Sequence, residues 1–384
     1  MPEPGYDIEA WRRRIPLLAS CIPLNNCSQG PQTDLTRAAA ERYLESWNRT
    51  GMDWDAWMEE VRLAKVAFAA LINATPDEIA VFSSVSEATS AVASALDFTG
   101  RKRRVVASEM EFPTTGHVWL AQERRGAEVS WVAMRDGMID LADYDEHIIG
   151  DTALVTACSG YYMNGFIQDV GAIVQRSHSA GALVFTDAYQ VLGAMPVDVK
   201  ESGVDFLASG CLKYLMGVPG IAFLYVKREL VDTLHPTTTG WFGRENPFAF
   251  DVKRLDWSAG ASRFDTGTPP IMNAYIARAG MEMINTVGVD NIRAWHELLS
   301  QRLRDGGRER GLKQHGTSDL ARKTANSAFL VHDSHAIEQA MRARGVLPSA
   351  RGPVIRLAPH FYNTLDDVAI ALDLLAELTR DERA

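Results

Sequence analysis

The residue types best suited to chemistry lie between Phe185 and Gly220. An apolar run, Ala182 to Phe185, leads into Asp187, and Gln190 follows one turn later. A second run, Val204 to Ala208, leads through Ser209 and Gly210 to Lys213, which has apolar neighbours. Gly217 and Gly220 allow a tight turn before a third run, Ile221 to Val226. A lysine amine can form a Schiff base with an aldehyde, and a carboxylate at the neighbouring strand end can keep a pyridine nitrogen protonated so that the ring accepts electrons. Lys213 and Asp187 in this order therefore point to pyridoxal 5'-phosphate. Either residue alone is more often structural or solvated.

Upstream, the strand Ile79 to Phe82 runs into S-S-V-S-E-A-T and an alanine-rich helix. A helix N-terminus offers free backbone N–H groups and a positive dipole end to a phosphate, which makes Val85 and Ser86 candidates for that group. The bland reading of the serines is a helix N-cap. Strand and helix patterns then alternate with short connections. Strands are expected at Val105–Ala107, Val129–Ala133 and Ala153–Ala157, and helices at His117–Arg124 and Gln168–Ser179. The pattern predicts an α/β fold with a mostly parallel sheet flanked by helices, whose ligands collect beyond the carboxyl ends of the strands. Ser86, Phe112, Tyr162, Asp187 and Lys213 all fall just past such ends. Phe112 is then either an ordinary core aromatic or a flat ring to stack on a pyridine. Arg356, inside the apolar run V-I-R-L, must face an anion, either a protein carboxylate or a substrate's.

The elements around this core are plainer. Ile8–Leu18 reads as an N-terminal helix. The loop L-N-N-C-S-Q-G-P, Leu24 to Pro31, is a connector or a segment at the mouth of the site, with Asn26 a candidate substrate contact. A helix follows through Leu44, and another spans Trp54–Ile72. Past Val226 comes a loop rich in Gly, Pro and aromatics, His235 to Phe248, and then R-F-D-T-G-T-P-P-I. Helices from Ile271 to Thr286 and from Asn291 lead to a smaller α+β domain with strands at Asn326–Val331 and Val354–Leu357 and a last helix at Leu365–Leu378. The expected division is 1–20 as an N-terminal helical segment, 21–260 as a large cofactor-binding domain and 261–384 as a small C-terminal domain.

The 384 residues carry a formal charge of −10 with no basic block, which argues against nucleic acid as a partner. No apolar run reaches the roughly 20 residues a membrane span requires. The acidic, proline-broken start does not read as a signal peptide, and Cys21, Cys27, Cys158 and Cys211 lack metal-ligand spacing. A cytoplasmic protein without a metal is expected.

With these residues in view, the chain resembles the class V aminotransferase superfamily of fold-type I pyridoxal phosphate enzymes, nearest the branch of kynureninases, isopenicillin N epimerases and C–S lyases. The motifs N-N-C-S-Q-G-P, S-S-V-S-E-A-T, E-F-P-T, D-A-Y-Q to L-K-Y-L-M-G, G-W-F-G, R-F-D-T-G-T-P-P and R-L-A-P-H-F-Y-N-T carry the resemblance over nearly the whole length. It implies a seven-stranded sheet, Lys213 as Schiff-base lysine and proton shuttle, and Asp187 on the ring nitrogen. It further implies Gln190 at the phenolic oxygen, Phe112 stacked on the ring, and Val85 and Ser86 at the phosphate. Gly267, Thr268 and Trp241 would reach the phosphate of a neighbouring subunit, making a homodimer with shared sites. Arg356 would bind the α-carboxylate of a small amino acid, and Tyr162 is a candidate acid/base. The departures narrow the reaction. No cysteine follows Cys211, against a persulfide mechanism, and Leu212 stands where kynureninases have a Tyr. The expected activity is transamination, with a Cβ–X lyase or epimerase as the alternative. A cofactor-binding protein without catalysis competes weakly against an intact Lys213, Asp187 and Arg356. Trp241, Phe242, His360 and Tyr161 suggest a partly aromatic pocket.

Overall fold

The structure is a computed structural model describing residues 4–380; residues 1–3 and 381–384, the ends of the first and last expected segments, lie outside the described residues. Seven strands form the central sheet: β1 (Ile79–Phe82), β2 (Arg104–Ser108), β3 (Glu128–Val132), β4 (Thr152–Cys158), β5 (Leu183–Asp187), β6 (Phe206–Gly210) and β7 (Ala222–Val226). Their order is β1-β7-β6-β5-β4-β2-β3, and only β7 runs against its neighbours. Central strands such as β6 and β7 are buried along their whole length, as a sheet covered on both faces demands.

Helices cover both faces. Val85–Ala95 buries Ala88, Ala91 and Val92 beside Phe185 and Leu224, whereas Trp54–Leu71 packs Phe68 on Phe223, the rings 4.7 Å apart and stacked. A smaller antiparallel sheet has the order Ser349–Arg351, Val354–Leu357, Ser327–Leu330, Gln314–His315. Its apolar face, with Phe329, Ala350 and Ile355, joins Leu299, Leu303 and Leu372 in a second core.

Several expectations shift for local reasons. The N-terminal helix ends at Arg12, and a 3-10 turn follows at Pro16–Ala19, because proline pushes Ile15 into an extended conformation (φ −119°, ψ 91°). The helix expected at His117 starts at Pro113, a residue suited to a first helical position, and Phe112 is its N-cap. The helix ending at Leu44 in the sequence reading continues to Thr50 and stops at Gly51, in the left-handed region at φ 70°. By packing, Ile271–Val287 sits on the helices Asp34–Thr50 and Trp54–Leu71, inside the large core through Ala274, Ala277, Met281 and Ile284. Ile22–Pro23 pairs in parallel with Val346–Leu347, and Leu24 belongs to the C-terminal core. We therefore propose that the two lobes divide after Val287 rather than at 261, with the N-terminal segment riding on the smaller lobe.

Candidate active site

The carboxyl ends of β1, β2, β4, β5 and β6 open into one cavity of about 370 Å³. Val85, Ser86, Phe112, Tyr162, Asp187, Gln190, Lys213 and Arg356 all line it. Asp187 ends β5, its backbone paired with Cys158 and Ala208, and is buried. Burial raises its carboxyl above the usual carboxylate range, opposed by the Lys213 charge and by the Tyr189 N–H, which donates to Oδ1 at 2.9 Å. A buried carboxylate of this kind gains from a cationic partner. Lys213 stands in the turn after β6, and burial draws its pKa down to about 8, against the pull of Asp187 and with help from Arg356 and Arg351. Its Nζ lies 4.2 Å from the Tyr189 ring centroid and 5.7 Å from that of Phe112. Gly210 is needed here: a Cβ on it would come within 2.1 Å of the Tyr189 hydroxyl.

The phosphate-type corner is built from the first turn of Val85–Ala95. Ser84 caps the helix by accepting from Glu87 N, and the Ser86 hydroxyl meets Thr114 Oγ1 at 3.2 Å. The N–H groups of Val85 and Ser86, in that first turn, lack intrahelical acceptors. Glu87 braces the loop, accepting from the Ser83 N–H and hydroxyl through Oε2 and from Thr266 through Oε1.

Arg356, 1% exposed, donates to the Tyr162 carbonyl (2.8 Å), Ser28 Oγ (2.9 Å), and Ser349 Oγ (2.6 Å) and carbonyl (3.4 Å). Among the described residues no carboxylate pairs with it, so of the two partners read from the sequence the protein one is missing. Gln190 donates to the Cys27 carbonyl at 3.0 Å, while its buried Oε1 has no partner among the described residues. Tyr162 stands edge-on to Phe112 with centroids 5.3 Å apart, and Phe112 is 41% exposed, an unusual state for a core aromatic.

Four expected residues lie elsewhere. Asn26 is buried outside the cavity lining, its amide donating to the Ala358 carbonyl and accepting from the Tyr362 hydroxyl. Trp241 packs among Trp54, Phe242, Phe248 and Phe250. Gly267 and Thr268 are exposed and do not line the cavity. The aromatic wall is Phe112, Tyr162 and Tyr189, in place of Trp241, Phe242, His360 and Tyr161; His360 is buried against the Tyr214 carbonyl.

Sequence reasoning passed over three residues. Tyr189 sits in D-A-Y-Q, and only Gly210, far along the chain, signals its ring. Arg351 also lines the cavity. Glu111, in E-F-P-T, is a buried carboxyl beside Cys158 and Thr156; burial, and then the neighbouring Asp187, push it well above the ordinary carboxylate range and favour its neutral form.

Residues 36–354 match the family described as aminotransferase class-V. The chain belongs to that family. It is 38% identical over 373 residues to the uncharacterized aminotransferase YcbU of Bacillus subtilis (strain 168), covering 97% of this chain and 98% of that protein. It is 27% identical to the kynureninase of Pseudomonas fluorescens, over 96% of this chain and 91% of that one. An apo cysteine desulfurase from Thermococcus onnurineus NA1 shares the fold, with a TM-score of 0.89 at 23% identity over 99% of both chains. The protein is a pyridoxal phosphate-dependent enzyme of fold type I. The cavity fits that cofactor: a buried carboxylate with no direct ion pair among the described residues, an orphaned acceptor on Gln190, an amine near two rings and a serine-lined helix N-terminus occupy its walls together. Among the described residues no helix is long and apolar enough to cross a membrane, and no cluster suits a metal ion.

Proposed function

We propose that the enzyme transfers the amino group of a small amino acid to an α-keto acid. The observation that carries this reading is Arg356, a buried guanidinium without a carboxylate partner among the described residues, opening on the cavity of Lys213 and Asp187. A guanidinium in that state is matched by a substrate α-carboxylate. Bound pyridoxal phosphate supplies the electron sink for charge left at the substrate's α carbon. The chain supplies the rest. Asp187 holds a proton on the ring nitrogen, and Lys213, whose neutral amine is favoured by burial, takes the proton from the α carbon. Val85 and Ser86 N–H groups hold the phosphate, Phe112 presents its ring face, and Gln190 serves the phenolic edge.

Tyr162 supports a second reading, a Cβ–X lyase. Its ring lines the cavity beside Phe112, where a phenol can protonate a leaving group. Isotope-labelled amino acids separate the two. With an α-keto acid present, transamination moves the labelled nitrogen into a new amino acid; a lyase releases it as ammonia whether or not an acceptor is present. Label in neither product would overturn both.

We infer that the active unit is a homodimer. Exposed Gly267 and Thr268, and the exposed apolar stretch Phe248, Phe250, Val252 and Leu255 beside Trp241, support an interface there. Four free cysteines support a cytoplasmic location.

A further inference from the structure

The cavity holds a second arginine that the chemistry above does not use. Ser349–Arg351 pairs antiparallel with Val354–Leu357, Ser349 opposite Arg356 and Arg351 opposite Val354. Directly opposed residues share a face, so Arg351, Ser349 and Arg356 all project to one side of this hairpin, while Ala350 and Ile355 turn into the C-terminal core. Both arginines line the cavity. They are diagonal neighbours across the hairpin, a spacing within reach of long side chains.

Their surroundings differ. Arg356 is buried and fixed by its bonds to Tyr162, Ser28 and Ser349. The Arg351 side chain is exposed, and among the described residues it pairs with no carboxylate. Nearby surface arginines do find carboxylates, Arg342 with Glu338 and Arg344 with Glu377. The charge of the lining is lopsided. Arg351 and Arg356 face a single carboxylate, Asp187, which the cofactor's ring nitrogen would engage. A substrate side chain with an ammonium group would meet repulsion, and a neutral one would leave Arg351 unanswered.

We propose that the preferred substrate is an amino acid with an acidic side chain, its distal carboxylate held by Arg351 while Arg356 holds the α-carboxylate. This rests on the amino-acid reading of the site given above. A charge-assisted pair of this kind is worth a preference of roughly ten- to a hundredfold. Because Arg351 is exposed, the preference weakens as salt rises.

The test is calorimetric titration of the cofactor-loaded enzyme with glutarate and with pentanoate, non-reacting acids of the same chain length. The wild-type protein should bind glutarate at least tenfold more tightly. In Arg351→Gln the glutarate affinity should fall to the pentanoate level, and Arg351→Lys should restore part of the difference. The ratio of kcat/KM for glutamate over glutamine, and for aspartate over asparagine, should collapse in step. Equal binding of the two acids by the wild-type enzyme, or a preference untouched in Arg351→Gln, would sink the proposal. Arg356→Gln keeps the two readings apart. If it abolishes pentanoate binding while Arg351→Gln does nothing, only the acidic-substrate inference fails. If it leaves pentanoate binding intact, the amino-acid reading fails with it.

Discussion

A lysine amine attacks an aldehyde only when unprotonated, and burial keeps Lys213 in that form further down the pH scale than a surface lysine, its pKa drawn to about 8. The apoprotein should therefore take up pyridoxal phosphate at a rate that climbs about tenfold per pH unit below 8 and levels off above it. An unperturbed lysine, with a pKa near 10.4, would keep climbing for about two more units. Stopped-flow recording of the bound cofactor's visible band decides between these, and Lys213→Ala should give no such band. Lys213 and Asp187 were legible in the sequence because each follows an apolar run that ends in a strand, and strand ends collect ligands in this architecture. Tyr189 and Arg351 were not. Tyr189 reaches the amine only because Gly210 leaves room for its ring, and Arg351 faces the cavity only through the register of a hairpin whose first strand, Ser349–Arg351, lacks a periodic apolar signal. Asn26 misled for the opposite reason: its place in a motif said nothing of the Ala358 and Tyr362 bonds that occupy its amide.

At the scale of elements, the loop after β4 is what joins Tyr162 to the smaller lobe. Phe166 bridges Lys323, Thr324 N donates to the Gly165 carbonyl at 2.7 Å, and the Tyr162 carbonyl takes both Arg356 and Asn326. Gly165, at φ 81°, lets the strands approach: an added Cβ would lie 2.5 Å from the Asn326 carbonyl. Behind this seam Lys323 is buried with its amine on the Asn326 and Thr324 carbonyls, and burial, then Arg293, lower its pKa to about 7. The unfolded value lies near 10.4. Between those limits the unfolded chain holds a proton that the folded chain has released, so stability rises with pH there by roughly 1.4 kcal/mol per unit. Comparing urea unfolding of the wild type and Lys323→Met at pH 7 and pH 9 should show the difference moving in the wild type's favour. A difference that does not change with pH would mean that Lys323 titrates as a solvated lysine. None of this was readable beforehand: a lysine between an arginine and a threonine in A-R-K-T-A looks like surface.

The whole molecule is organised so that one chain supplies nearly every group the chemistry needs, yet leaves a prominent motif outside its own cavity. R-F-D-T-G-T is firmly anchored: Arg263 on Asp232, Asp265 on Lys65 and the Val81 N–H, Thr266 on Glu87. Gly267 follows, exposed, and a Cβ added to it meets nothing within 4 Å. A segment held this rigidly with its tip in open space suits a contact made on another copy, as a shared phosphate site requires. Gly267→Glu should then leave the isolated chain undisturbed while placing a carboxylate against the partner's phosphate, weakening cofactor retention. Mixed dimers give the decisive reading. Lys213→Ala dimers should be inactive, and Gly267→Glu dimers should retain cofactor poorly. If Gly267 serves the partner's site, a dimer of one chain of each variant contains one site with both residues native, and activity recovers towards half of wild type. If Gly267 serves its own chain's site, every site in the mixed dimer carries one defect and nothing recovers. Co-expression with two affinity tags, tandem purification of the mixed species and measurement of bound cofactor and turnover would distinguish the two arrangements.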